Sequence, residues 1–492
     1  MRSQLRAFAV LGGSSLVSLF VSLVSMKAYA LLIGPRGVGE IGVIQGLASL
    51  TTLLAGFGIG TGVVRLGTPM LAAGDVVGAK RLFSHARILT VGTSIATILI
   101  ASLVRGPLAS SMLGEPSWAW VAVTAVLSGT LGAWATLELG LLNARHAVGA
   151  IARATVVGSL GAATIGIGLI WGYGVRAVPI AIAFGQLWTA VVAGFMSIRV
   201  ERAAKREAPM SVHASSPDDI GLLRFGAGYT LSMFLGVGVQ YALPAVVVHR
   251  LGFDAAGQVR AALTISTAYL ALFLTAMARD YYPRVCAAPS VDALNRIVNT
   301  QLGILLLLGA PLVLVLQVGS PVAVTILFSR SFAPAVEVMR WQLVGELFKF
   351  ASWTFAYVIL GRLPSSTYLL SETTAGATLI TGVWILVSRA GIAGVGLAYA
   401  ASYCCYFLLT MALVRRLGVR ISATNGRYLA VSLGSAVLIA LLQTVAVVPP
   451  AISVSIQIMM AAAAVAIAGR VALRSGLVSR SALHGLRAGP QA

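Results

Sequence analysis

The feature that constrains this chain most is a succession of apolar stretches, each close to 20 residues long, separated by short polar breaks. A hydrocarbon core about 30 Å thick is crossed by a helix of about 20 apolar residues. Within lipid, a helix satisfies every backbone N–H and C=O inside one segment. Fourteen segments qualify, roughly 8–33, 41–64, 86–104, 118–142, 152–172, 177–198, 225–249, 257–278, 298–318, 338–360, 367–388, 391–414, 428–448 and 452–472. Composition agrees: hydrophobic residues make up 58%, charged residues 10%, and the mean hydropathy is +0.93. A soluble domain carries roughly a quarter charged residues, so a soluble multidomain enzyme is excluded. The expected fold class is all-α, a polytopic membrane protein of about 14 transmembrane helices. The first segment exceeds a signal-peptide core in length and no small-residue cleavage site follows it, so it reads as a retained helix.

Orientation follows from the basic residues. There are 35 Lys and Arg against 14 Asp and Glu, a formal net charge of +21. With the N-terminus inside, 25 of the 35 fall on inside ends and loops. The outside set is Arg36, Arg105, Arg176, Arg250, Arg260, Arg330, Arg340 and Arg389, and Lys27 and Lys349 lie within spans. Cytoplasmic loops of membrane proteins carry this excess. Both termini are therefore expected in the cytoplasm, and the charge needs no nucleic-acid partner. Cys286, Cys404 and Cys405 form neither a CxxC pair nor a disulfide framework.

The longest polar stretch, about 199–224, separates the sixth and seventh spans. It reads as a cytoplasmic linker over 201–224 between a six-helix lobe at 1–200 and a second at 225–420, with two extra helices and a tail at 421–492. A faint internal repeat supports that division. Gly34-Pro35-Arg36-Gly37-Val38-Gly39-Glu40-Ile41 follows the first span, and Gly252-Phe253-Asp254-Ala255-Ala256-Gly257-Gln258-Val259 follows the seventh. One constant offset matches Gly34 with Gly252 and Gly39 with Gly257. Six spans per lobe would give both lobes the same orientation, a parallel-repeat transporter plan. Gly74-Asp75-Val76-Val77-Gly78-Ala79-Lys80 comes nearest to a phosphate-binding loop but fails its spacing. No metal or cofactor motif is present, and the outside loops are too short for a catalytic domain such as a polymerase or ligase would need.

Ionisable groups inside spans face a protein interior or a wet cavity. Lys27, in the outer half of the first span, is a candidate for attracting an anionic head group or a lysine snorkelling to the interface. Glu346 and Lys349 share a helix face at i, i+3, either as a self-neutralising pair or as a gate in which protonation of Glu346 frees Lys349. Glu372 opens the eleventh span as an ion site or an interfacial carboxylate. Glu138 lies one turn from the inner end of the fourth span, near Asn143 and Arg145. Arg65 ends the second span at head-group depth, where a guanidinium suits phosphate. Gln45, Gln240 and Tyr241 are the candidates to hydrogen-bond sugar hydroxyls.

Several segments in order carry a family likeness: Lys27-Ala28-Tyr29-Ala30-Leu31-Leu32-Ile33-Gly34-Pro35-Arg36-Gly37-Val38-Gly39 through GFGIGTGVVRL to Leu66, ARDYYPRV (278–285), WQLVGELFKFASWTFAYVILGR (341–362), YLLSE (368–372) and GIAGVGLAYAASYCCYFLL (391–409). Together they resemble the Wzx-type O-antigen translocases, the lipid-linked oligosaccharide flippases of the multidrug/oligosaccharidyl-lipid/polysaccharide exporter superfamily. The resemblance implies two six-helix bundles around a central cavity plus two C-terminal helices. It implies movement of an undecaprenyl-pyrophosphate-linked oligosaccharide from the cytoplasmic to the periplasmic leaflet by alternating access, driven by an ion gradient. From the family's cationic cavity pattern, Lys27, Arg65 and Lys349 carry over as substrate-binding residues. Glu346, Glu372 and Glu138 are the ion-coupling or gating candidates. Membrane lipids, a polysaccharide polymerase and a chain-length regulator are the implied partners. The rival reading is an ion-coupled exporter of small cationic drugs on the same fold.

Overall fold

The computed structural model describes residues 2–113, 118–207, 219–277, 281–444 and 455–466. Helix makes up 93% of the structure, and no strand occurs among the described residues. The helices are α1 (Arg2–Gly56), α2 (Ile59–Ala72), α3 (Val76–Leu103), α4 (Arg105–Leu113), α5 (Ala119–Ala144), α6 (Val148–Tyr173), α7 (Val178–Glu207), α8 (Asp219–Ala276), α9 (Tyr282–Ala287), α10 (Val291–Val318), α11 (Ser320–Leu327), α12 (Ala335–Arg362), α13 (Ser365–Ala390), α14 (Ala393–Arg415), α15 (Ala423–Thr444) and α16 (Ser455–Ala466). The chain is a multi-pass membrane protein. Nine helical stretches among the described residues are long and apolar enough to cross a bilayer. That number is below fourteen because neighbouring spans are fused, because the bent α8 is not among the nine, and because the last expected span, 452–472, is described only over Ser455–Ala466, the rest of it lying outside the described residues. Gly13–Gly56 and Val148–Ala203 each hold two expected spans, and the expected spans 225–249 and 257–278 both fall on α8.

The fused helices turn at glycine. Gly34 (φ 61°, ψ −167°) breaks α1 and Gly252 (φ 83°, ψ 177°) breaks α8. This region is essentially closed to residues with a Cβ, so the first glycines of the two repeat sequences do the same backbone work. The correspondence continues along the chain. α3 and α10 are both 28 residues long, α4 and α11 are 9 and 8, and α6 and α13 are both 26. A side-chain cap opens both α3 and α10: Asp75 accepts from the Gly78 N–H at 2.7 Å and Ser290 from the Ala293 N–H at 3.2 Å. Each satisfies a donor that the helix leaves orphaned.

By packing, the chain divides into two compact units. One is Met1–Arg260 with Leu327–Ser331, the other Ala261–Ile326 with Phe332–Ala492. The division falls inside α8, because the first part of α8 packs on α1 and α2. Leu222 fills the space over Gly62, Gly226 lies against Phe57, and Phe253 lies against Gly39. A Cβ on Gly39 would stand 3.0 Å from the Gly257 nitrogen, and one on Gly257 would stand 3.1 Å from the Gly39 nitrogen. The second glycines of the two repeat sequences are thus the crossing point of α1 and α8. Within the polar stretch 201–224, residues 208–218 lie outside the described residues.

The first unit has a core of Ile59, Val63, Leu82, Phe83, Leu137 and Leu141 where α2, α3 and α5 meet. In the second, α12 is the spine, buried along most of its length. Side-chain amides hold α15 and the turn before it to α10: Asn299 donates to the Arg420 carbonyl at 2.8 Å, Asn425 to the Asn299 carbonyl at 2.7 Å, and Gln317 to the Ala436 carbonyl at 3.0 Å. In hydrocarbon, where the hydrophobic effect does not press helices together, packing and such bonds do.

Candidate functional site

Among the described residues, three groupings of polar side chains bear on function, two in the first unit and one in the second. The first is a cavity of about 240 Å³ lined by Tyr29, Gln45, Ser159, Gln186, Thr189 and Arg260, with further serines of α1. Arg260 donates from Nη2 to Gln45 Oε1. Its aliphatic stem crosses Gly42, whose absent Cβ would stand 3.3 Å from Arg260 Cδ. Gly42 and Arg260 are equivalent positions under the repeat offset, so one repeat gives up a side chain where the other places a guanidinium. Sequence spacing counts Arg260 in the outside set, at the start of the expected span 257–278; the α8 break at Gly252 starts a new helical course, and Arg260 lies about two turns into it, in the wall of this cavity.

Lys27 does not line this cavity. Its ammonium donates to the Phe328 carbonyl, and Gln258 donates to the Ser331 carbonyl at 2.9 Å. Together they tie the short segment Leu327–Ser331 to the first unit. Arg65 is exposed, with its guanidinium 4.9 Å from the Phe225 ring centroid. Tyr241 is half-buried in α8. The side chain of Gln240 lies outside the described residues.

The second place is a charge cluster at the ends of α3, α5 and α7. Arg87 grips both oxygens of Glu138, Nε to Oε1 at 2.8 Å and Nη2 to Oε2 at 3.0 Å. Glu138 is 1% exposed, so this fork-to-fork pair is a charge-assisted clasp in a dry setting. Arg87 also reaches Glu201 at 3.4 Å and Ser197 at 3.3 Å on α7. The clasp reaches across 51 residues, farther than the Asn143 and Arg145 neighbourhood that local spacing favours for Glu138.

The third place, in the second unit, brings together Glu346, Lys349 and Glu372 with three tyrosines of α14. Lys349 Nζ donates to Tyr399 Oη at 2.7 Å, and Tyr399 Oη donates to Glu346 Oε1 at 2.7 Å. Glu346 Oε2 lies 3.8 Å from Lys349 Nζ, an ion pair longer than a hydrogen bond. The ammonium stands 4.7 Å from the Trp353 ring centroid, 5.3 Å from Tyr399 and 5.0 Å from Tyr403, a cation–π enclosure. Tyr403 contacts Tyr399 at 4.7 Å and Tyr406 at 6.3 Å between centroids, and the Tyr406 hydroxyl donates to Glu372 Oε1. The two carboxylates therefore end one tyrosine ladder, spaced i, i+4, i+7 on one face of α14. Beside it, Trp353, Tyr357, Leu360, Tyr368 and Glu372 line a cavity of about 290 Å³. The tyrosines carry no sequence signal that separates them from ordinary packing aromatics. Only the fold brings Tyr399 of α14 to the pair on α12.

A family model described as "Polysaccharide biosynthesis protein" matches residues 29–337. The Lipid III flippase of Escherichia coli (strain K12) is 23% identical over 407 residues, covering 80% of this chain and 94% of that protein, and its Shigella flexneri counterpart matches equally. Among solved structures, the lipid II flippase MurJ in an inward closed conformation superposes with a TM-score of 0.68 at 12% identity, over 95% of this chain and 99% of that one. An inward-facing multidrug resistance MATE family transporter of the MOP superfamily gives 0.65 at 16% identity, over 81% and 99%. At these identities the structures speak for the shared fold, and they agree with the superfamily resemblance of the sequence segments.

Proposed function

Because the chain belongs to the polysaccharide biosynthesis protein family, we propose that it is a flippase carrying an undecaprenyl-pyrophosphate-linked oligosaccharide from the cytoplasmic to the periplasmic leaflet of the bacterial inner membrane by alternating access. The observation that carries the reading is the polar cavity of the first unit with Arg260 and Gln45 in its wall. A sugar cannot enter hydrocarbon unaided, since each unpaired hydroxyl costs several kcal/mol there. Serine, threonine and glutamine side chains in the wall replace the lost water. A guanidinium offers the bidentate donors that suit a phosphate. The relative named Lipid III flippase supports a lipid-linked cargo. An O-antigen repeat or a related unit is the proposed cargo, passed on to a polymerase and its chain-length regulator.

Glu346 and Glu372, joined through the tyrosine ladder, are the proposed ion-coupling groups. Lys349 is held by the same ladder, so its role is to set the charge balance there. Reconstitution tests the proposal. Vesicles loaded with the lipid-linked oligosaccharide on one leaflet should expose sugar to an impermeant lectin on the other only when the protein is present. No transfer above protein-free vesicles would overturn it.

One observation favours a second reading, export of small organic cations. The cavity of Trp353, Tyr357, Tyr368 and Glu372 pairs aromatic faces with a carboxylate. Raised drug tolerance on overexpression, without lectin-accessible sugar, would select it.

A further inference from the structure

A second cavity of the first unit, about 380 Å³, is separate from the Arg260 chamber. It opens where α2 ends, α3 begins, the α5–α6 turn passes and α7 approaches its end. The candidate spans that begin at Val76 and Val148 and those that finish at Ala144 and Ala203 have these ends there, as a site at a membrane surface requires. Leu71, Val76, Phe83 and Val200 give it an apolar wall, and Lys80, Arg145, His146 and Glu201 supply its charged and polar groups.

Arg145 makes this more than a packing defect. Its side chain is only 10% exposed. Nη1 is buried and has no hydrogen-bond partner. The guanidinium stands 4.6 Å from the Phe83 ring centroid. Its carboxylate neighbour, Glu201, is 3.9 Å from Nη2 and is shared with Arg87 at 3.4 Å. Glu138, the other acid nearby, is taken up by Arg87 through both oxygens. Burial pulls the Arg145 guanidinium below its ordinary range, with Glu201 offsetting only part. A buried charge demands a counter-charge and filled donors, and here the demand is partly unmet. With Lys80 on the rim the cavity wall carries one net positive charge.

We infer that this cavity is an accessory site for an anionic phospholipid, its phosphodiester on Arg145 and Lys80 and an acyl chain along the Leu71–Val76–Phe83 wall. Basic pockets between spanning helices hold lipid head groups in this way. The site is independent of the cargo proposed above and would bias the first unit by tying α3 to α5 and α7.

The test uses the full chain, purified in detergent and stripped of lipid. Native mass spectrometry reads retention of added phosphatidylglycerol against phosphatidylethanolamine, with inorganic phosphate in a parallel arm. Phosphatidylglycerol is expected to be retained preferentially. Arg145→Gln should lower its retention about tenfold and Lys80→Gln severalfold, the size of one lost charge-assisted pair. Arg153→Gln, on an exposed residue outside the cavity, should change nothing. If Arg145→Gln does not give a monodisperse protein, Lys80→Gln carries the test alone. Equal phosphatidylglycerol retention in all the proteins overturns the inference. Occupancy by inorganic phosphate that matches the lipid overturns it too, by assigning the site to free phosphate.

Discussion

Arg260 rests on the bare backbone of Gly42, and its guanidinium donates to the Gln45 amide oxygen. Arg260→Gln should remove most lectin-detected translocation while leaving membrane insertion intact. Gly42→Leu should reproduce that loss by displacing the arginine stem, since overpacking of a close contact costs about 1–3 kcal/mol. Glu346→Gln and Glu372→Gln should each reduce the rate under an imposed ion gradient to the gradient-free rate. Tyr399→Phe should do so too, because it removes the hydroxyl that bridges Lys349 to Glu346 and leaves only their longer direct ion pair. A gradient response unchanged in all three would remove the ladder from the mechanism. The sequence makes only the local half of these arrangements legible. Glu346 and Lys349 announce themselves by their i, i+3 spacing. Arg260 carries the same local signature as a loop arginine, because its partner Gln45 lies 215 residues earlier.

At the level of helices, apolar length alone reveals where the spans lie, since the bilayer imposes it. What it conceals is how they are joined. Gly34 reads as a turn residue, yet the chain re-enters helix at once and α1 runs on to Gly56. Gly34→Ala and Gly252→Ala should each destabilise the protein by about 1–3 kcal/mol, the strain of forcing a Cβ into that backbone region, seen as a lower midpoint in thermal unfolding in detergent. The Arg87–Glu138 clasp makes a different demand. Arg87→Ala leaves a carboxylate buried without its partner and should cost about 3–5 kcal/mol. Replacing both with a well-packed Met and Leu should recover most of that. A double-mutant cycle read by thermal unfolding separates the pair from its surroundings.

For the whole molecule, the sequence reads as two similar halves followed by a pair of extra helices, and the matched lengths of α3 with α10 and α6 with α13 carry the same rhythm. The charge bias of the loops bears on orientation: reporters fused after residue 207 and at the C-terminus should both read as cytoplasmic, and one inserted after Arg176 as periplasmic. Opposite readings would invert the proposed direction of transport. The bends at Gly34 and Gly252 carry one more consequence, a stereochemical one. Their dihedral angles are the mirror image of an extended conformation that any ordinary L-residue adopts. A D-alanine placed there by semisynthesis should fit without strain where its L-enantiomer does not, so the two bends tolerate added bulk only of inverted handedness.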